Sequence, residues 1–331
     1  MPLSDLTPDE DTLEPVETWP LARLRALQTE RMRWTLRHAY ERVPYHKRAF
    51  DAARVHPDDF ESLADLARFP FTTRQDLRDT YPFALFAVPR ERIARIRAAS
   101  DATGKPTVVG YTQKDIDISN AVMARSLRAA GVRPGWLVHV ADGGDLRDGV
   151  EQYGCAVVPD FADQAGGDIQ RLADFKPEAI IASPGALLAL LDQFRAAGID
   201  PRETSFKLGI FGAEPWTPPL RAAIEDGFDM HAVATYGASN IMAPGGAQEC
   251  VQTKDGLTIW EDHFYPEIIN PRTGRVLRDG EQGELVFTSL TREAMPVIRY
   301  RTGDITALLP GTARTMRRLS VRRPAIPSPA A

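Results

Sequence analysis

The chain has 331 residues, of which 43% are hydrophobic and 26% charged, with a formal net charge of -5 and an isoelectric point of about 5.8. This composition is typical of a globular protein, and it provides no general attraction to nucleic acid or to an anionic membrane surface, since both require clustered positive charge. Cys155 and Cys250 stand far apart, without a second thiol or spaced histidines nearby. This argues against a disulfide framework and a zinc site, and it favours a reducing cytoplasm as the location.

The chain begins with an acidic, proline-containing leader, residues 1–20, which has neither the basic start nor the apolar core of a signal peptide. Apolar side chains then recur at helical spacing from Leu21 to Val43 among arginines. This pattern predicts an amphipathic helix that ends before Pro44.

From Thr112 onward, helix and strand alternate. The tetrapeptide "TQKD" predicts a capped helix start, and Ile118, Val122 and Leu127 give that helix one apolar face before Gly131. Turn residues bound five short apolar runs, which are "WLVHVA", "CAVVP", "AIIAS", "KLGIF" and "AVATY". The predicted fold class is therefore α/β, with largely parallel sheets flanked by helices.

Beyond Gly256 the pattern changes to alternating strands. The runs "LTIWEDHFYPEII" and "ELVFTSL" flank a turn-rich segment and predict an antiparallel hairpin. We therefore predict an α/β core over residues 21–255 and a small β subdomain over residues 256–311. The remaining residues, 312–331, lack apolar periodicity and are expected to be disordered.

A polar, glycine-containing turn follows a basic strand at residues 99–106, "ASDATGKP". It is not a P-loop, because the first glycine of that pattern is missing and Pro106 follows the lysine. These residues alone leave two interpretations open, a phosphate-binding loop and a hairpin tip with a solvated lysine.

The wider sequence resembles the phenylacetate-CoA ligases, members of the adenylate-forming acyl-CoA synthetase superfamily. The resemblance runs in the same order from about residue 20 to about residue 318. It is carried by "PFTTRQDLRDTYPFALFAVPRE", "TGKPTVVGYTQKDI", "FKLGIFGAEPWT", "TYGASNIMAPGGAQECVQTKDGLTIWEDHFYPEIINP" and "GELVFTSLTREAMPVIRYRTGDIT".

The resemblance implies a two-step reaction. ATP and an aryl carboxylate give an acyl adenylate and pyrophosphate, after which the thiol of CoA displaces AMP. Magnesium and positively charged groups would offset the charge that develops on the phosphates. The implied cofactors are ATP/AMP and Mg²⁺, the implied partners are an aryl acid and CoA, and a homodimer is expected by analogy.

The resemblance also implies site residues. The implied triphosphate contacts are Ser100, Thr103, Gly104 and Lys105. Glu214 and Gly237 would line an adenine pocket in which Tyr236 stacks on the base, and Asp304 would accept hydrogen bonds from the ribose hydroxyls. From the residues alone, two other interpretations stay open: Tyr236, which ends an apolar strand, as a core side chain, and Asp304 as a turn cap. No metal ligand is assigned.

The chain departs from the family pattern at this loop. The family's "SSGTTGKP" is here "ASDATGKP", so that Asp101 replaces a glycine and Ala102 replaces a threonine. Asp101 brings a negative charge towards the phosphates. At ~4 Å and an effective dielectric constant near 20, such a pair costs about 4 kcal/mol. Asn240 replaces the glutamate associated with magnesium, and Asp101 would compensate for it if the two side chains met at the ion.

Two further departures bear on substrate and catalysis. The segment "DGGDLRDGVEQY" is short and acidic where the family contributes to an aryl pocket, and the sequence ends where the family continues into a small C-terminal domain that carries a lysine. We therefore expect this lid domain to be lacking and full ligation to be impaired or lost, so that the chain alone performs at most the adenylation half-reaction. The alternative is a non-catalytic protein that binds a nucleotide or acyl group.

Overall fold

The structure is a computed structural model that describes residues 3–99, 107–141, 146–159, 167–214, 216–237, 245–320 and 323–324. Its α-helices are α1 (Leu21–Arg42), α2 (Pro44–Ala53), α3 (Arg74–Asp79), α4 (Gln113–Ala130), α5 (Arg147–Gln152), α6 (Gly167–Phe175), α7 (Pro184–Ala196) and α8 (Pro218–Phe228). Its strands are β1 (Arg95–Ala99), β2 (Thr107–Tyr111), β3 (Leu137–Val140), β4 (Ala156–Val157), β5 (Ala179–Ala182), β6 (Leu208–Phe211), β7 (His231–Tyr236), β8 (Ala247–Glu249), β9 (Leu257–Ile259), β10 (Phe264–Ile269), β11 (Gly283–Ser289), β12 (Tyr300–Thr306), β13 (Leu308–Leu309), β14 (Arg318–Leu319) and β15 (Arg323–Pro324).

The chain forms two compact units. Among the described residues, the first unit contains those within 3–13, 119–237 and 245–257, and the second contains those within 14–118, 258–320 and 323–324. The predicted division into an α/β core over residues 21–255 and a β subdomain over residues 256–311 remains a prediction. Alternation of helix and strand identifies elements, but it does not identify which elements pack together.

A mostly parallel sheet forms the centre of the first unit. Its strands lie in the order β8-β7-β6-β5-β3-β4, with β3 to β7 parallel and β8 antiparallel to β7. In chain order the five parallel strands are therefore arranged 2-1-3-4-5, which is a doubly wound pattern whose direction reverses between β3 and β5. All five strands predicted from the apolar runs are confirmed.

Helices cover both faces of this sheet, because successive residues of a strand point to opposite sides. Ile181 packs into a core cluster with Met123 of α4 and Val150 of α5. Its neighbour Ile180 packs into a different cluster, which contains Leu187 of α7. The α/β architecture predicted from the sequence is thus confirmed.

The second unit is built on antiparallel strands. β10, β11, β12 and β15 form one sheet in that order, and β10 pairs with β11 from Phe264↔Ser289 to Ile269↔Glu284. The hairpin predicted beyond Gly256 is therefore confirmed. In the same unit, α1 ends at Arg42 and α2 begins at Pro44, as the apolar spacing predicts.

The segment after residue 311 differs from the predicted disorder over the part that the structure describes. Arg314 Nε lies 2.6 Å from Glu17 Oε2, with side-chain exposures of 1% and 0%, and Arg317 forms an ion pair of 2.9 Å with Glu261. β14 pairs with β13 through Leu308↔Leu319. Buried charge pairs keep these residues packed against the rest of the second unit. Such pairs produce no apolar periodicity, so the sequence pattern does not reveal them.

Candidate nucleotide site

Three of the expected site residues follow adjacent strands of the first unit. Glu214 comes shortly after β6, Tyr236 is the last residue of its parallel neighbour β7, and Gly237 follows β7. The carboxyl ends of parallel strands lie at one edge of a sheet, where open α/β sheets bind their ligands. The structure therefore places Glu214, Tyr236 and Gly237 at the same edge.

Glu214 is fixed by the start of α7. Its carboxylate accepts a hydrogen bond of 2.9 Å from the Gly185 backbone N–H, and Ser183 Oγ accepts one of 3.2 Å from the Ala186 N–H. Pro184 occupies the first helical position, where no N–H is needed. The unpaired N–H groups of this helix start thus find acceptors, and the positive end of the helix favours the Glu214 charge.

The Gly185 position is tight because the carboxylate lies against it. A Cβ atom built on Gly185 would lie 3.1 Å from both Glu214 carboxylate oxygens. Glycine therefore permits the close approach of Glu214 to the helix backbone.

Tyr236 is a buried side chain, with 4% of its surface exposed, and its backbone pairs with Ala247 of β8. Gly237, which follows it, is exposed. The interpretation of Tyr236 as a core residue therefore fits its burial. Stacking on an adenine requires a ring face that is open to the ligand.

A buried ion pair supports the strand that carries Tyr236. Arg221 of α8 donates to both Glu249 oxygens at 2.7 and 2.8 Å, and Glu249 also accepts a bond of 2.9 Å from the Ala234 N–H of β7. Burial raises the pKa of the Glu249 carboxyl, an effect that the Arg221 charge and the Ala234 N–H oppose. The pair joins α8, β7 and β8.

Asp304 lies in the second unit, on β12. Its backbone N–H donates to Thr302 Oγ1 at 3.0 Å, and Gly303 before it has a positive φ of 79°. Glu284 of β11 holds this strand, since its carboxylate accepts from Arg301 Nε at 3.1 Å and from the Gly303 N–H at 3.3 Å. The Asp304 side chain is half-buried.

The remaining expected residues fall outside the part of the chain that the structure describes. They are Ser100, Thr103, Gly104 and Lys105, together with the divergent positions Asp101, Ala102 and Asn240. The flanking strands are described, and β1 pairs antiparallel with β2 from Arg95↔Tyr111 to Ala99↔Thr107.

Sequence reasoning missed the residues that position the site. Ser183 and Gly185 carry a detectable signal, because "SPG" after an apolar strand marks a helix start with a capping serine and a proline in the first turn. Glu284, Arg221 and Glu249 carry no local signal, since each acts on a residue distant in sequence.

The described residues hold neither a metal-binding cluster nor a membrane-spanning helix. Over those ranges, no group of three or more His, Cys, Asp or Glu side chains is placed to hold a metal ion. In the same part of the chain, every helix is too short or too polar to cross a membrane.

Comparison with known proteins identifies the family. The chain is 58% identical over 321 residues to a phenylacetate-coenzyme A ligase of Aromatoleum evansii, covering 95% of this chain and 73% of that protein. The chain belongs to the phenylacetate-CoA ligase family. Family members of the same description from Escherichia coli K12 and Pseudomonas putida are 54% and 53% identical, and the chain covers 72% of each. No family model matches the chain.

Solved structures of acyl-CoA ligases have the same fold. A 2-hydroxyisobutyryl-CoA ligase in an open conformation with 2-HIB-AMP and CoA aligns with a TM-score of 0.87 at 27% identity, covering 94% of this chain and 74% of that one. The same enzyme in the thioesterification state gives a TM-score of 0.88, covering 95% and 72%. A long-chain-fatty-acid-CoA ligase of Archaeoglobus fulgidus, at 15% identity and a TM-score of 0.55, shares the fold alone.

Proposed function

We propose that this phenylacetate-CoA ligase family member activates an aryl carboxylic acid with ATP. A carboxylate oxygen attacks the α-phosphorus, the bond to the β,γ-pyrophosphate breaks, and the products are an acyl adenylate and pyrophosphate. CoA is the proposed acceptor, whose thiol displaces AMP. The identity of 58% to a phenylacetate-coenzyme A ligase over 95% of the chain is the observation that supports this function best.

The proposed adenine contacts are those at the carboxyl edge of the first unit's sheet. Glu214 and Gly237 are available there, because the Glu214 side chain and Gly237 are both exposed. Tyr236 contributes as a stacking partner only if ligand binding uncovers its buried ring. Asp304 is the proposed ribose acceptor, on a strand whose backbone Glu284 holds.

The triphosphate contacts Ser100, Thr103, Gly104 and Lys105 remain part of the proposal by resemblance. Lys105 supplies the positive charge that the developing negative charge of the reaction requires. Magnesium also enters by resemblance alone, since Asp101 and Asn240 lie outside the described residues. A homodimer and a cytoplasmic location stay predictions.

A second candidate function is binding of a nucleotide or acyl group without catalysis. Two sequence differences favour it, because Asp101 adds a negative charge to the phosphate loop and Asn240 removes one from the expected magnesium site. Under this alternative, full ligation is lost although a pocket survives.

ATP-pyrophosphate exchange separates the two candidates. We expect exchange that depends on phenylacetate or a related aryl acid and exceeds that of a heat-treated sample. If calorimetry shows binding of ATP, AMP or phenylacetyl-CoA while exchange is lacking with every acid and with magnesium present, the binding function replaces the catalytic one.

A further inference from the structure

Asp115 is a buried carboxylate that serves two parts of the second unit at once. Only 1% of the residue is exposed. Its oxygens accept backbone N–H bonds from Thr112 at 3.0 Å, from Glu293 at 2.7 Å and from Ala294 at 2.9 Å. The first bond, with the Asp115 N–H donating to Thr112 Oγ1 at 3.1 Å, is the helix cap that "TQKD" predicts. The bonds from the Glu293 and Ala294 N–H groups are not part of the cap, and they connect Asp115 to a second segment.

The side chain of Glu293 returns to the same helix start. Its carboxylate accepts from the Thr112 hydroxyl at 3.1 Å and from Lys114 Nζ at 3.1 Å, and Arg92 Nη2 lies 3.3 Å away. Contacts thus run in both directions between residues 292–294 and the start of α4. Such reciprocal bonds define the distance between two segments more tightly than a single contact.

The neighbours of Glu293 contact β2 and the chain that precedes β1. Arg292 Nη2 donates to the Gly110 carbonyl at 3.3 Å, and its guanidinium lies 4.3 Å from the centre of the Tyr111 ring. The Ala294 carbonyl accepts from the Ala87 N–H at 2.8 Å. Residues 292–294 therefore contact the end of β2 through the Arg292 side chain.

These contacts connect the two second-unit elements assigned to the nucleotide. β2 ends the hairpin whose strands flank the expected triphosphate contacts, residues 100–105. Residues 292–294 lead into β12, which carries the expected ribose acceptor Asp304. Asp115 lies at the point where the two elements are joined.

We infer that Asp115 is a positioning residue for the nucleotide, which sets the β1–β2 hairpin against the segment that leads into β12. The inference rests on the proposed function. It applies most strongly to a ligand that needs both elements, as ATP does through its phosphates and its ribose. AMP lacks the β and γ phosphates and depends less on the hairpin.

The test uses Asp115→Asn, because an asparagine of nearly the same shape has only one acceptor oxygen and directs an NH2 group at donors. The matched control is Asp76→Asn. Asp76 caps α3 in the same unit, accepting the Thr73 N–H at 2.8 Å while Thr73 Oγ1 accepts the Asp76 N–H at 3.2 Å. The control therefore damages an equivalent helix cap without touching residues 292–294.

Calorimetry on both variants measures ATP and AMP affinity. We expect Asp115→Asn to raise the Kd of ATP by about tenfold or more and that of AMP by less than about threefold, and Asp76→Asn to change neither by more than about twofold. Equal losses for both ligands, or an equal loss of ATP affinity in the control, would show that Asp115 has only a structural role.

Amide hydrogen exchange on the ligand-free protein tests the role of Asp115 without requiring that the protein bind a nucleotide. We expect Asp115→Asn, but not Asp76→Asn, to accelerate exchange in β1 and β2, and unchanged exchange there overturns the inference. If the wild type fails to bind ATP, the proposed function is wrong, whatever the exchange shows.

If Asp115→Asn does not fold, Glu293→Gln takes its place as the test variant. We expect Glu293→Gln to weaken the binding of ATP alone, by about threefold. An unchanged affinity for ATP in this variant would contradict the inference.

Discussion

The Glu214 carboxylate accepts a 2.9 Å hydrogen bond from the backbone N–H of Gly185, in the first turn of α7. A residue assigned to an adenine pocket is thus also part of a helix cap. Its orientation before any ligand arrives is set by a glycine 29 positions earlier in the chain. The segment after β6 and the start of α7 are therefore linked through one side chain.

Gly185→Ala should not stabilise the protein, although alanine normally gains about 0.5–1 kcal/mol over glycine inside a helix. The added Cβ would lie 3.1 Å from both Glu214 oxygens and would displace the carboxylate from the N–H. We expect the free energy of unfolding to stay level or fall by about 1 kcal/mol. Chemical denaturation of the variant measures this.

Gly227→Ala is the control for that prediction. Gly227 lies in α8, where a Cβ would meet Leu191 at an ordinary contact distance of 3.6 Å, so alanine should show its usual gain. In a Glu214→Ala background, Gly185→Ala should regain the same stabilisation. An equal gain at both glycines in the wild-type background would show that Glu214 does not restrict Gly185.

Arg221→Met should destabilise the first unit strongly. It would leave Glu249 buried without the cation that accompanies it, at a cost of about 3–5 kcal/mol near pH 7. Burial already raises the pKa of Glu249, and loss of Arg221 raises it further. A carboxyl whose folded pKa is raised stabilises the fold below its unfolded pKa and loses that contribution as pH rises, so the defect should shrink on acidification.

The double variant Arg221→Met with Glu249→Gln completes this test. Because it removes both charges, it should recover most of the lost stability at pH 7. Urea denaturation of the wild type, the single variants Arg221→Met and Glu249→Gln, and the double variant at pH 7 and pH 5 gives the coupling free energy. Additive losses would mean that the two side chains do not stabilise each other.

His46 should make the second unit sensitive to acid. Burial lowers the pKa of its imidazole from 6.5 to about 4, while the Pro296 carbonyl, 3.2 Å from Nε2, and the charge of Asp76 oppose the shift. A group with a lowered folded pKa stabilises the fold above its unfolded pKa, and this contribution disappears as pH falls from about 6.5 towards 4. The predicted loss is about 3 kcal/mol over that range.

His46→Gln tests the origin of this sensitivity, because glutamine retains an N–H donor and does not titrate in this range. The slope of unfolding free energy against pH between 6.5 and 4 should become shallower in the variant. An unchanged slope would assign the acid sensitivity to other groups.

Asp101→Gly should tighten ATP binding if the Asp101 carboxylate repels the phosphates. The expected gain is about tenfold or more, since one like-charge pair at close range costs up to about 4 kcal/mol. Calorimetry with ATP, with and without magnesium, measures it. Weaker binding that appears only with magnesium would instead indicate that Asp101 has replaced the family's glutamate, now Asn240, as a ligand.

Much of the fold could be predicted because its signals are local. The strand from Ala179 to Ala182 and the helix that begins at Pro184 are both visible in one apolar run broken by "SPG". The ion pairs of Glu17 with Arg314 and of Glu249 with Arg221 could not be predicted in this way. Each joins residues whose proximity depends on the completed fold, and neither charge carries a periodic signal.

In the candidate site, too, local motifs could be read from the sequence, whereas long-range contacts could not. Short motifs identified Glu214, Tyr236, Gly237 and Asp304 through a family resemblance, and the apolar run "AVATY" that Tyr236 ends already offered its burial as the alternative. The contacts that hold the site residues come from Gly185 and Glu284, which the motifs did not select. A motif shows which residue types the family shares, whereas the contacts that hold those residues in place are visible only in the three-dimensional structure.

Transfer of oxygen from substrate to AMP tests the proposed adenylation most directly. Phenylacetate labelled with ¹⁸O at both carboxyl oxygens is incubated with ATP, magnesium and purified protein, hydroxylamine traps the acyl group, and AMP is examined by mass spectrometry. Attack of the carboxylate on the α-phosphorus predicts AMP that carries one ¹⁸O atom. Unlabelled AMP, or no AMP above a heat-treated control with any aryl acid tested, would contradict the account.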